Sequence, residues 1–297
     1  MAVSHVKTYD QNNLKENVDD IIFDISPEDT PFVSAIKKGS CSNTTVTWHE
    51  DELDAVGANA AVEGADASAA SMTGTTARTN YTQIFTKTVL VSGTSRSVDQ
   101  YGAEDELARQ LSKKGKEIKR DLEYALVGAG QSATVGSSSV ARQTASAQNM
   151  IDASTTNDNS GVGRDFSETI LLDVLEKTFT AGGNPNLLLI PTDKAITVAG
   201  FAAASGRSRD LGMDKRIVNA VDIYVSPYGE ITVGLDRFMD SSTAMALDTE
   251  MWELAALRPF AQEELSKTGD ADKYQIVGEY ALKHGNFKSS GLAADLN

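Results

Sequence analysis

Between residues 104 and 127, Leu107, Leu111, Ile118, Leu122 and Ala125 recur at three-, four- and seven-residue steps. That spacing puts them on one stripe of a helix. Gly128 and Gly130 follow as stop signals. About 24 helical residues make a rod about 36 Å long. A second helix is predicted over 167–180, capped by Ser167 and ended by Gly182-Gly183. Residues 187–190 read as a short, wholly apolar strand before Pro191, and 193–204 as a helix begun near Thr192.

Period-two patterns mark the strands. In 44–49, Val46 and Trp48 share a face; in 81–91, Tyr81, Phe85, Val89 and Val91 share one, with Ile84 and Leu90 opposite. These two runs are expected to form a two-stranded ribbon. The Ala/Gly/Ser/Thr-rich residues 54–78 lie between them, with Val62 and Met72 as the only large apolar side chains after Val56. A ribbon of this kind is marginal alone and needs another surface to lie on. Residues 131–165 read as a long surface loop and 207–216 as a charged loop. Strands are expected at 221–225, 231–235, 244–247, 251–257, 274–280 and 287–292, with turns at Pro227-Tyr228-Gly229 and His284-Gly285-Asn286. The class is α+β, with no internal repeat.

Residues 1–44 differ from the rest. Their apolar pulses are confined to 21–25 and 32–36. Ser26 with Pro27, and Thr30 with Pro31, are two capped helical starts. Alone, such a segment buries too little surface to offset its ordering entropy. It reads as an arm that docks on copies of the same chain.

Composition narrows the function. The formal net charge of -15 argues against a general nucleic-acid binder, which needs a basic footprint. The basic residues of the long helix interleave with Asp105, Glu106, Glu117, Asp121 and Glu123, so that face reads as solvated; a basic strip facing DNA or an acidic neighbour is the sharper alternative. The single cysteine, Cys41, rules out an internal disulfide and suits a reducing compartment. No apolar run is long enough to span a membrane, and residues 1–20 carry no secretory pattern, so folding in the cytoplasm is expected.

Catalytic patterns do not assemble. His5, His49 and His284 fall in three separate regions, and none has a metal-ligand spacing with another His or Cys. His49 beside Glu50, Asp51 and Glu52 is the best metal candidate, and it reads more simply as a strand end at a charged turn. Gly128-Ala129-Gly130 follows a helix, the wrong order for a dinucleotide cradle. No Gly-x-Ser-x-Gly elbow occurs. No enzyme, no cofactor and no metal are expected.

The order of elements is a docking arm, a β excursion, a long helix, a mixed centre and a β return. With Ile25-Ser26-Pro27-Glu28-Asp29-Thr30-Pro31-Phe32 near the start, the chain resembles tailed-phage major capsid proteins of the Johnson (Hong Kong-type) fold. Three further segments carry the resemblance: Val140-Ala141-Arg142-Gln143-Thr144, Asp236-Arg237-Phe238-Met239 and Trp252-Glu253-Leu254-Ala255-Ala256-Leu257-Arg258-Pro259-Phe260. The resemblance implies an N-terminal arm at 1–44, an extended β-hairpin loop at 45–96, and a peripheral domain with its spine helix at 97–180. An axial domain at 181–235 and a return to the peripheral domain at 236–297 would complete the chain. It implies hexamers and pentamers of the chain in an icosahedral shell around packaged DNA, held non-specifically. Portal, scaffolding or decoration proteins are further partners, and the virion is the location. Pro27, Pro31, Phe32, Trp48, Tyr81 and Phe85 are the expected subunit-interface residues. Some relatives crosslink a loop lysine; Lys87 is the only lysine in that region, and the rest of the motif does not match. A bacterial nanocompartment shell of the same fold is the nearest alternative, and a fibre or adhesin subunit a more distant one.

Overall fold

The computed structural model describes residues 29–64, 66, 72, 74–98, 106–204, 223–267 and 269–297. Ser26, Pro27 and the charged loop at 207–216 lie outside them. The elements run α1 (Pro31–Ala35), β1 (Lys37–Ser40), β2 (Thr45–Glu50), β3 (Thr76–Tyr81), β4 (Gln83–Ser92), α2 (Gly93–Ser97) and α3 (Glu106–Glu123). There follow β5 (Thr156–Asn157), α4 (Glu168–Thr180), β6 (Leu187–Pro191), α5 (Ala195–Ala204), β7 (Ile223–Ser226) and β8 (Gly229–Asp236). The last are β9 (Ala244–Leu247), β10 (Trp252–Leu265), β11 (Ala271–His284) and β12 (Gly291–Ala293).

The long helix forms as its stripe predicts. Leu107, Ile118 and Leu122 are buried and Leu111 is half-buried. The helix closes in one π-helical turn, Tyr124–Gly128, where the Ala129 N–H reaches the Tyr124 carbonyl. Its charged face is laced by Arg109–Glu106 and Lys114–Glu117, and by Lys87 of β4 bonded to Asp121 at 2.6 Å. Ser167 caps α4 by accepting from the Ile170 N–H, and Gly182 takes the left-handed φ of +87° beyond its end.

One sheet has the order β1-β10-β11-β4, and α3 packs on β4 through Val89, Val91 and Leu107. β10 and β11 form a long antiparallel pair with register shifts around Arg258, where Pro259 cannot donate to the ladder. A second sheet has the order β5-β12-β9-β6-β8-β7. It carries α4, whose Leu171, Val174 and Leu175 pack with Leu188 and Ile190 of β6. This sheet joins strands from both sides of residue 235, because β9 pairs with β6.

Three expectations change. The ribbon pairs β2 with β3, Thr45 opposite Tyr81 and Glu50 opposite Thr76, and not with 82–91. The chain breaks at Thr82, whose hydroxyl bonds the buried Glu279, and β4 then joins β11. The alternation in 81–91 is therefore that of a sheet strand under α3. Second, the stretch expected as surface loop at 131–165 is threaded through the core at Thr144–Ala147, all buried. Buried Asn80 makes this tolerable: it accepts from the Ala145 N–H (2.9 Å) and donates to the Leu282 carbonyl (2.6 Å) and Thr144 Oγ1 (3.0 Å). Third, residues 31–40 are part of the body. β1 pairs parallel with β10, and Phe32 and Ile36 enter the main core.

Candidate assembly surfaces

The residues expected to meet neighbours separate in the structure. Pro27 lies outside the described residues. Pro31 opens α1 half-buried, and Tyr81 ends β3 half-buried. The side chains of Phe32, Trp48 and Phe85 are buried in the chain's own core. Phe32 meets Trp252 edge-on at 5.8 Å, and Trp48 lies 6.0 Å from Phe287. Large apolar side chains on short elements contribute most when buried at home.

The root of the arm is fastened by a residue the pattern did not single out. Thr30 sits at the N-cap of α1 but makes no side-chain cap. Its place is taken by Glu123, at the end of α3. The Phe32 N–H donates to Glu123 Oε1 (2.6 Å) and the Val33 N–H to Oε2 (3.0 Å). These are two of the donors that a helix start leaves unsatisfied. Glu123 is buried, as is its neighbour Asp236, which ends β8 and accepts from the Phe238 N–H (2.8 Å). Burial pushes the Glu123 carboxyl up to about 8, and burial raises Asp236 as well. One signal in the sequence could have found Glu123: it precedes Leu126 and Val127 by three and four residues, and both are fully buried.

The ribbon is rooted firmly and ends freely. At its root the Arg78 guanidinium lies 4.4 Å over the Phe287 ring, and its Nε donates to Glu50 (2.9 Å). Glu50 Oε1 accepts from the Phe287 N–H (3.1 Å), and Lys288 pairs with Glu52 (2.6 Å). Beyond, every described residue from Asp51 to Ala77 is exposed. Leu53, Val56, Val62 and Met72 are between 81% and fully exposed. Residues 51–77 carry Asp51, Glu52, Asp54, Glu63 and Asp66 and no Lys or Arg. A cleft of about 980 Å³ separates the ribbon root from α4. Its charges are largely paired with one another, Glu50 with Arg78 and Asp173 with Lys177 (2.8 Å). His49 lines it beside Asp51, and no cluster of His, Cys, Asp and Glu suited to a metal ion occurs among the described residues.

The segments that carried the resemblance converge on the same body. Arg142 pairs with Glu279, which also takes Arg258 Nε (3.2 Å) and the Thr82 hydroxyl (2.7 Å). The Phe260 N–H donates to the Tyr280 hydroxyl (3.0 Å). Trp252 is wholly buried, and Asp236 belongs to the arm root. These segments are therefore the joints of the fold.

Similar proteins agree with this geometry. The major capsid protein of Escherichia phage Phieco32 is 29% identical over 337 aligned residues, covering 96% of this chain and 95% of that protein. Among solved structures, the capsid of cyanophage A-1(L) superposes with a TM-score of 0.74 at 11% identity over 98% of both chains. The encapsulin complex of Synechococcus elongatus reaches 0.57 at 10% identity, over 90% of this chain and 88% of that one. The fold is the Johnson (Hong Kong-type) capsid fold. Since an encapsulin is among the structures alike in fold, it is the sequence that separates the two kinds of shell. The SU10 major capsid protein model matches residues 4–297, and the chain therefore belongs to the SU10 major capsid protein family and is a phage major capsid protein.

Proposed function

We propose that copies of this chain close into an icosahedral shell, as hexamers and pentamers, around the double-stranded DNA of a tailed phage. The observation that carries this reading is the ribbon and its loop. A hairpin anchored in the core presents Leu53, Val56, Val62 and Met72 to solvent. Exposed apolar side chains on a protruding loop gain free energy only when another surface covers them. Identical neighbours related by rotation supply that surface, and head-to-tail contacts that close make a shell. The N-terminal arm expected from the sequence is the second element that would meet neighbours. The net charge of -15 suits a container that holds DNA without gripping it. Residues 45–96 would be the extended loop and 181–235 the axial domain. Portal, scaffolding or decoration proteins are the further partners, and the protein folds in the host cytoplasm before entering the virion. Its work is contact-making, with no bond-breaking step.

The test is electron microscopy of the purified full chain beside a deletion of residues 1–28. The deletion stops there because removing 1–40 would also take Phe32 and β1 out of the body. The full chain should give closed shells tens of nanometres across, and the deletion folded subunits that do not close. Normal shells from the deletion would remove the arm from the mechanism. Particles isolated with protein cargo, and without DNA or a portal, would indicate a nanocompartment.

A further inference from the structure

Two buried carboxyl groups meet where the arm joins the body. Glu123 and Asp236 are each no more than 1% exposed, and their carboxyl groups lie within interaction range of each other. Both Glu123 oxygens also accept a backbone N–H, from Phe32 and from Val33. Asp236 Oδ1 takes the Phe238 N–H, and its Oδ2 is buried with no donor offered by any other group. A proton on Glu123 gives that oxygen the donor it lacks. Two ionised carboxylates side by side in such a place would repel each other and leave that oxygen bare.

Among the described residues, no Lys or Arg forms an ion pair with Glu123 or Asp236. α1 (Pro31–Ala35) has no titratable side chain. On α3, Arg120 directs its guanidinium at the Phe238 ring, 5.8 Å away. Tyr124, next along the chain, is exposed. The charge acting on Glu123 is that of Asp236 itself.

We propose that Glu123 and Asp236 share one proton as a clamp that positions the arm on the body, and that loss of this proton frees the arm's root. The hold on the arm root stands on the two backbone hydrogen bonds to Glu123 and the unpartnered Asp236 oxygen; its role in assembly rests on the function proposed above. The sign follows from the carboxyl's being raised in the docked state. Docking is fullest below the ordinary carboxylate range and weakens as pH climbs towards about 8. One proton linked to release means about a tenfold change in the opening equilibrium per pH unit across that window.

The test is amide hydrogen exchange on the full chain at pH 6, 7 and 8, corrected for intrinsic base catalysis. The peptide spanning residues 29–36 is compared with one from the paired stretch of β10 and β11. Wild type should show the arm-root opening rise by about tenfold per pH unit while the reference stays level. Asp236→Asn places an amide donor where Oδ2 stood, so Glu123 can remain ionised and docked, and its profile should be flat. Glu123→Gln cannot ionise, and its profile should be flat even if the chain is less stable overall. A level wild-type profile, or a slope surviving in either variant, overturns the clamp. Micrographs of the same samples read assembly separately: shells with a level profile reject the clamp alone, and a steep profile without shells rejects the assembly role alone.

Discussion

Trp252 and His284 lie face to face across β10 and β11, ring centroids 3.8 Å apart and planes within 9°. Phe287 also stacks with the imidazole, at 5.6 Å. Ser290 Oγ accepts the indole N–H (3.0 Å) and lies 3.3 Å from His284 Nε2. His284 Nδ1 faces the Met150 carbonyl (3.3 Å), in the stretch that threads the core. One ring thus ties the end of the long β pair to the turn after it and to the threaded segment.

Acid should act through this ring. Burial holds the imidazole down at about 3, so it is neutral in the folded chain and titrates near 6.5 when unfolded. The contribution to stability is whole above about 6.5 and is lost as pH falls from there towards 3. By pH 4 the loss is on the order of 3 kcal/mol. Urea midpoints at pH 7 and pH 4 check it. His284→Gln should start lower at pH 7 and lose distinctly less on acidification than wild type. Equal losses in both would show that the ring does not carry the acid sensitivity.

Phe32 tests where the arm ends. Its ring is fully buried against Trp252, so Phe32→Ala should cost about 3–5 kcal/mol by urea denaturation of the unassembled subunit. Pro31→Ala, at the first turn of the same helix, should cost less than about 1 kcal/mol, since the ring is only half-buried. A Phe32→Ala subunit as stable as wild type would return that side chain to the interface.

The exposed loop should behave in the opposite way. Changing Leu53, Val56 and Met72 together to Ser should leave subunit stability within about 0.5 kcal/mol, because no described residue covers them. Closed shells counted in micrographs should fall sharply. Unchanged shell yield would mean that the loop's apolar side chains meet no neighbour.

Much of the local structure was legible in the sequence. The stripe from Leu107 to Ala125, the Ser167 cap with Gly182-Gly183, and the apolar run before Pro191 each hold their own signal within one element, and each formed as read. The ribbon was half legible. Residues 76–81 hold little apolar character, so their pairing with β2 had no periodicity to betray it, while the strong alternation in 81–91 belonged to another sheet. The stretch around Thr144 looked like surface because it is polar and small; Asn80 supplies the hydrogen bonds that allow it inside.

By itself the sequence determined the long amphipathic helix, the strands of the β return up to His284 and the capsid resemblance, because these depend on near-neighbour spacing and on short residue strings; the strand expected at 287–292 is confined to Gly291–Ala293 after a turn. Tertiary structure alone placed Phe32, Trp48 and Phe85 in the chain's own core. It alone gave the capping of α1 to Glu123, 91 residues from Phe32, in place of Thr30. Local pattern reports which side chains are apolar or able to cap. Which partner they meet depends on backbone groups and burial that only the folded chain brings together.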